Sequence, residues 1–307
     1  MTSPAKGQSK KQPSLLARME KIWRGKTPEQ MRLKGKLWQW RYPLQPSDGL
    51  TSVVFGLPLV SKRRAPDWDV VCRNLRRTLA SFEAQSDPNW KVVICSQDKP
   101  KWVPWSDKIT FIQSTVSDKF FDKGDKDRQL KAHVAKTCRF EGYYFRFDAD
   151  DVAHPDLVSF LMSNNNRAGY TLTRGYCYDL ERAEFGHLSP EGNAFNHSCG
   201  SSSAAYFDFR HHKGALTVLN QNRSHMTIER NMGYFGFDMG DVPFEAALYL
   251  INHGQNMLQR RGRLDVMLDR LEGARIADTE QTNGIKETFG LEALEAIVKR
   301  DTISEEL

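Results

Sequence analysis

Apolar and polar positions alternate in blocks along this chain, and the blocks predict an α/β protein with a mainly parallel central sheet. Ser52-Val53-Val54-Phe55-Gly56-Leu57 is an apolar run of strand length, broken by Pro58. Val71, Leu75, Leu79 and Phe82 then recur at helical spacing. Asp87-Pro88-Asn89 marks a turn, and Lys91-Val92-Val93-Ile94-Cys95 a second buried strand ended by Ser96-Gln97-Asp98. Ile109 to Ile112 predicts a third strand. Leu130, Val134 and Cys138 share one helical face, and Tyr143 to Phe147 predicts a fourth strand. The order is β-α-β-β-α-β. Its strands are apolar on both faces, as a parallel sheet covered by helices requires.

The second half reads differently. Tyr170-Thr171-Leu172 and Gly175-Tyr176-Cys177-Tyr178 predict a hairpin, and Ser201 to Phe207 a further strand. Pro243 to Asn252 predicts a short helix with Phe244, Ala247, Leu248 and Ile251 on one face. From Arg260 the tail is helical, with Phe289, Leu291, Leu294 and Ile297 in a last amphipathic segment. The expected organisation is a basic, partly disordered extension over 1–49, a main domain over 50–260 and a helical tail over 261–307.

Composition narrows the class. A chain of 307 residues with 39% apolar residues can pack a core. The net charge of +6 is unevenly spread: residues 1–50 hold 11 Lys/Arg against 3 Asp/Glu, which leaves the rest at −2. A near-neutral body disfavours nucleic acid as the partner. Five scattered cysteines without a Cys-x-x-Cys pair fit reduced thiols better than a zinc knuckle or disulfide scaffold. No apolar run approaches the length of a membrane span, and Met1 to Lys6 lacks the core of a signal peptide, so a cytoplasmic location is expected. Residues 1–13 are Ser/Lys/Gln/Pro-rich, and Leu15, Leu16, Met19, Ile22 and Trp23 fall on one face of a helix starting at Ser14. Two readings of the basic, aromatic stretch 14–45 stand side by side. It lies on an anionic membrane surface at the inner face, or Trp38, Trp40 and Tyr42 dock onto the body as an arm.

The candidate chemistry sits where the fourth strand ends. Tyr143-Tyr144-Phe145-Arg146-Phe147-Asp148-Ala149-Asp150-Asp151 passes from an aromatic run into three carboxylates within four residues. The strand order makes the first half a Rossmann-like nucleotide-binding unit, and such sheets bind ligands at the carboxyl ends of their strands. Carboxylates so close repel each other unless a cation lies between them. A hard divalent ion, Mg²⁺ or Mn²⁺, is the simplest cation for an all-oxygen set, and such ions often bridge to a diphosphate. The plainer alternative is a solvated acidic turn before a helix opened by His154-Pro155-Asp156-Leu157.

Together these features resemble the GT-A glycosyltransferases of family 2, over roughly residues 50–255. The likeness rests on the strand order, on Val92 to Asp98, on Gly124 and Arg128, and on Phe147-Asp148-Ala149-Asp150-Asp151, which looks like that family's Asp-x-Asp signature. His253-Gly254-Gln255-Asn256 is similar, less specifically, to a bacterial rhamnosyltransferase branch. The resemblance implies a nucleoside-diphosphate sugar donor and a Mn²⁺ or Mg²⁺ ion. It makes Asp148 nucleotide- or metal-facing and Asp150 the main metal ligand; Asp151 either joins them or caps the next helix. It implies that Asp98 accepts a hydrogen bond from the nucleobase, the alternative being a turn residue before Lys99-Pro100. Lys126, Arg128 and Lys131 lie near the expected diphosphate or base, with Arg128 the chosen donor contact against a solvated basic face. An inverting transferase needs a carboxylate base. Asp241 is the candidate, ahead of Asp238 and Glu245, with an N-cap as the other reading. The family's Glu-Asp pair is missing, which leaves the identity of the base open. His253 is implied as a metal ligand or is a surface residue at a helix end. Gly200-Ser201-Ser202-Ser203 suits a wall of the acceptor site or a plain strand of small residues. His197 and His211-His212 are weaker ligand candidates.

Three functions compete. The first is a transferase moving one sugar to a glycan, lipid-linked or protein acceptor; the Gln-x-x-Arg-Trp signature of processive synthases is absent. The second is a nucleotidyltransferase making an activated sugar. It is disfavoured because Gly56-Leu57-Pro58-Leu59 and Ser61-Lys62-Arg63-Arg64 lack a glycine-rich phosphate loop. The third is an inert domain serving as a membrane or assembly adaptor, which the intact acid cluster disfavours.

Overall fold

The computed structural model describes residues 27–221 and 224–303. The predicted disorder over 1–13, the helix from Ser14 and the first part of the 14–45 stretch lie outside the described residues.

The described residues open with α1 (Pro28–Arg41), then β1 (Ser52–Pro58), α2 (Trp68–Glu83), β2 (Trp90–Ser96) and β3 (Ile109–Gln113). There follow α3 (Lys123–Thr137), β4 (Glu141–Arg146), β5 (Val152–Ala153), α4 (Leu157–Asn164), β6 (Tyr170–Thr171), β7 (Gly175–Asp179) and β8 (Glu184–Leu188). The last strands are β9 (Ser203–Asp208), β10 (Gly240–Asp241) and β11 (Ala247–Ile251), and the main C-terminal helices are α5 (Leu264–Glu272), α6 (Thr279–Thr288) and α7 (Leu291–Ile303). A seven-stranded sheet runs β10-β6-β9-β4-β1-β2-β3, and a four-stranded one runs β5-β11-β7-β8. Within the large sheet only β9 is antiparallel to its neighbours. The fold is α/β, with a mostly parallel sheet in the first half and mixed pairing in the second, as expected.

The first half follows its pattern closely. β1 is buried along almost its whole length, and its continuous apolar run finds helices on both sides. Asp67 caps α2 by accepting from the Asp69 and Val70 amides, and Phe82 of that helix stacks on Phe55 of β1 at 4.0 Å. Gly56 is required here: a Cβ would lie 2.3 Å from the Tyr144 hydroxyl of the neighbouring strand.

Two expectations for the second half are corrected. Tyr170–Thr171 and Gly175–Asp179 do not form a hairpin. The first segment is held between β9 and β10 of the large sheet, while the second pairs with β8 and β11 of the small one. Residues 172–174 cross between sheets, so adjacency in sequence is not adjacency in space. The helix expected over Pro243 to Asn252 is instead a strand at Ala247–Ile251, parallel to β7 and antiparallel to β5. Four of its five residues are buried, and a short run buried on both faces fits helical spacing as well as strand spacing.

Helix α1 docks on the body. Trp38 is buried and its indole N–H donates to the Gly214 carbonyl at 2.9 Å, while Gln39 donates to Phe235 O at 2.7 Å. Tyr42 lies against His212 at 4.6 Å between ring centres. Trp40 remains 83% exposed. The close approach uses Gly35, where a Cβ would meet Tyr234 O at 1.6 Å. At the other end, α7 lies on α2 through ion pairs of Arg76 with Asp301, at 2.7 Å, and of Arg77 with Glu295. Among the described residues no helix is long and apolar enough to cross a membrane.

Candidate metal centre

The parallel register carries β4 to the carboxyl edge of the large sheet, where Phe147 is buried and the chain turns. Asp148, Asp150 and Asp151 follow at this edge, and one carboxylate oxygen of each lies within 4.8 Å of the others. Backbone bonds fix the turn: the Asp151 amide donates to Asp148 O at 3.3 Å, and Thr78 of α2 donates its hydroxyl to Asp151 O at 2.7 Å.

Each carboxylate has a different environment. Asp148 is straddled by the Lys123 ammonium, 2.7 Å from Oδ1 and 2.8 Å from Oδ2. Burial pushes its carboxyl up, but Lys123 and Arg146 outweigh burial and hold it below the ordinary range. Asp150 is partly exposed, with Oδ2 3.1 Å from His253 Nε2 and 3.5 Å from Asn256 Nδ2. Asp151 is fully buried. Its Oδ2 accepts from the Ser201 hydroxyl at 2.5 Å and from the Cys199 thiol at 3.1 Å, while Oδ1 has no partner. Burial, and then the neighbouring Asp150 and Asp148, push its carboxyl far above the ordinary carboxylate range.

The segment from Cys199 to Ser203 cradles this cluster. Ser201 Oγ accepts from the Asp148 amide at 2.7 Å while donating to Asp151. At Gly200 a Cβ would sit 2.7 Å from Asp148 Oδ2. A buried carboxylate oxygen without a partner, an all-oxygen donor set and a floor that admits no side chain together fit a hard divalent cation. Asp148 and Asp150 are partly exposed, whereas Asp151 is fully buried.

His253 reaches the cluster from the small sheet, just after β11, where Asn252 and Gly254 adopt left-handed backbone angles of +61° and +78°. Its Nε2 faces Asp150 but lies off the line of a hydrogen bond. Its Nδ1 lies 3.0 Å from Asn74 Nδ2, and Asn74 Oδ1 accepts from Arg77 at 2.8 Å.

The other candidates lie elsewhere. Asp98, at the end of β2, accepts from the Lys62 amide at 2.7 Å and so ties down the loop after β1. Arg128 is mostly exposed and pairs with Asp125 on its own helix. Lys126 and Lys131 are buried, bound respectively to Asp122 with Leu59 O and to Asp127. The cation on Asp148 is Lys123, which the sequence reading did not single out. Its one legible signal was its place in the first turn of the helix that carries Lys126 and Arg128.

Asp241 does not precede a helix. It sits in β10, accepting from the Thr173 amide at 3.1 Å and the Thr173 hydroxyl at 2.7 Å. β10, β6 and β4 run parallel with β9 between them, which puts Asp241 at the same sheet edge as Asp148, three strand spacings or about 14 Å away. Glu245 pairs with His187 at 2.9 Å. His225, also missed, donates from Nδ1 to Asn196 O at 2.5 Å; burial lowers its imidazole, and the Asn196 hydrogen bond and Asp148 oppose this.

No family model and no curated protein matches the sequence. Among solved structures, a 4-diphosphocytidyl-2C-methyl-D-erythritol synthase is similar at 12% identity and a TM-score of 0.36, over 72% of this chain and 97% of that one. The glycosyltransferase GlyE of Streptococcus pneumoniae TIGR4 is similar at 11% identity and a TM-score of 0.36, over 76% of this chain and 66% of that one. Both scores are too low to argue a shared activity, so the chemistry rests on the site itself.

Proposed function

We propose that this chain is a metal-dependent glycosyltransferase. In this reading it moves a single sugar from a nucleoside-diphosphate sugar to a glycan, lipid-linked or protein acceptor, with inversion. The observation that supports it most is the convergence of three carboxylates, one with an unpartnered buried oxygen, at the carboxyl edge of a mostly parallel sheet.

Mn²⁺ or Mg²⁺ would be held by Asp148 and Asp150, and when bound it would neutralise charge on a departing diphosphate. His253 joins this ligand set only in the tautomer that carries its proton on Nδ1. Lys123 adds a positive charge beside Asp148, where the diphosphate would lie. Arg128 reaches the donor only by leaving Asp125, so Lys123 is the stronger diphosphate contact. Asp98 fixes the loop after β1 and accepts from the nucleobase. Asp241, on the same edge and held in place by Thr173, takes the proton of the acceptor hydroxyl. The likeness to the rhamnosyltransferase branch makes nucleotide-linked rhamnose the first donor to try.

The test is donor hydrolysis. Purified protein with Mn²⁺ and a panel of nucleotide sugars releases nucleoside diphosphate, and EDTA or Asp150→Ala abolishes that release. Release that survives EDTA rejects the reading.

A further inference from the structure

Three segments meet at the rim beside Asp148. Arg63 pairs with Asp118 at 2.5 Å, Arg64 donates to Phe120 O, Arg260 donates to Arg64 O at 2.7 Å, and the Arg261 guanidinium lies 4.9 Å over the Phe121 ring. Segments 62–64, 117–123 and 260–263 hold eight Lys/Arg against two Asp, although the chain beyond residue 50 is close to neutral. Both acids are already engaged: Asp118 by Arg63 and Ser61, Asp122 by Lys126 and Gln97. Among these basic side chains stand Phe120, 78% exposed, and Phe121, 53% exposed. Adjacent exposed phenylalanines are costly in water and mark a surface with a partner.

We propose that this rim docks peripherally on an anionic lipid bilayer, with Phe120 and Phe121 entering the headgroup layer and the surrounding cations facing lipid phosphates. Charge complementarity selects this occupant: a cluster of cations beside an exposed apolar tip matches a continuous anionic surface lying over hydrocarbon. Lys123 belongs both to this rim and to the carboxylate cluster, so docking would hold the cluster's mouth against the membrane and favour a lipid-linked acceptor. The docking itself does not depend on the transferase reading, because the surface is defined by exposure and charge alone; only the acceptor preference rests on that reading.

The test is vesicle flotation of the full chain with phosphatidylcholine vesicles, with or without phosphatidylglycerol. Binding that requires phosphatidylglycerol and falls with salt is expected. Phe120→Ser/Phe121→Ser weakens partitioning about tenfold or more, and Lys119→Glu/Arg261→Glu does so independently. The five native cysteines are buried, so Phe120→Cys can carry a polarity-sensitive dye, whose emission shifts to the blue on phosphatidylglycerol vesicles. Unchanged flotation of both variants, or a dye that stays in water while the protein binds, overturns the proposal. So does loss of nucleotide binding in the Phe variant without loss of flotation, which would assign the loop to the donor pocket. None of these readouts requires turnover, so their failure is separable from failure of the transferase reading.

Discussion

Asn74 Nδ2 lies 3.0 Å from His253 Nδ1, and the direction of that hydrogen bond sets the protonation of the imidazole. Arg77 can only donate, so the Asn74 atom facing it is the carbonyl oxygen and the atom facing His253 is the amide nitrogen. Nδ1 is then the acceptor, and the ring proton sits on Nε2, the nitrogen 3.1 Å from Asp150 Oδ2. Asn74→Asp reverses this polarity: the new carboxylate accepts from Nδ1–H and frees Nε2 as a ligand. Metal affinity rises about tenfold in calorimetric titration, the usual size of such outer partners' effects. Weaker binding in Asn74→Asp would show that the tautomer is not the control.

Asp151 makes stability depend on pH in an unusual direction. Its folded carboxyl is raised by burial and by its two acidic neighbours. The folded state therefore favours the protonated form, and this contribution is lost as pH rises from the ordinary carboxylate range upward. In EDTA, Asp151→Asn should remove that loss and raise the melting temperature at pH 8 by about 2–4 °C. A lower melting temperature at every pH would mean that Asp151 is ionised in the folded protein.

Gly200 is the floor of the cluster. Gly200→Ala places a methyl group 2.7 Å from Asp148 Oδ2 and must displace that carboxylate. Metal affinity should fall about tenfold or more, while thermal unfolding in EDTA changes little. Equal falls in stability and affinity would reduce the effect to general misfolding.

Asp241 separates chemistry from donor binding. Asp241→Asn keeps the acceptor oxygen for Thr173 and removes the base. Turnover should fall about 10²- to 10⁴-fold with donor affinity unchanged, as measured by single-turnover kinetics and nucleotide titration. Loss of both would make Asp241 a strut between β10 and the loop after β6.

The legible part of this protein was its locally determined part. Val71, Leu75, Leu79 and Phe82 announced α2, and Tyr143 to Phe147 announced β4, because one continuous pattern sets each element's burial. Asp148, Asp150 and Asp151 were readable for the same reason: they end that strand. Ala247 to Ile251 misled because five residues buried on two faces carry no distinguishing period, and the pairing that makes them a strand comes from Gly175–Asp179 and Val152–Ala153. Lys123 was hidden because its partner is 25 residues away, across a contact no periodicity encodes. Trp38 had two readings from sequence; a buried indole on Gly214 O resolves it as an arm.

The central claim is that Asp148 and Asp150 grip a divalent ion. Mn²⁺ titration followed by electron paramagnetic resonance, on wild type, Asp148→Asn and Asp150→Asn, tests it without any donor or acceptor. The account predicts one tight Mn²⁺ per wild-type chain and affinity lower by about 100-fold in each variant. Undiminished binding in both variants, or no binding in the wild type, would contradict it.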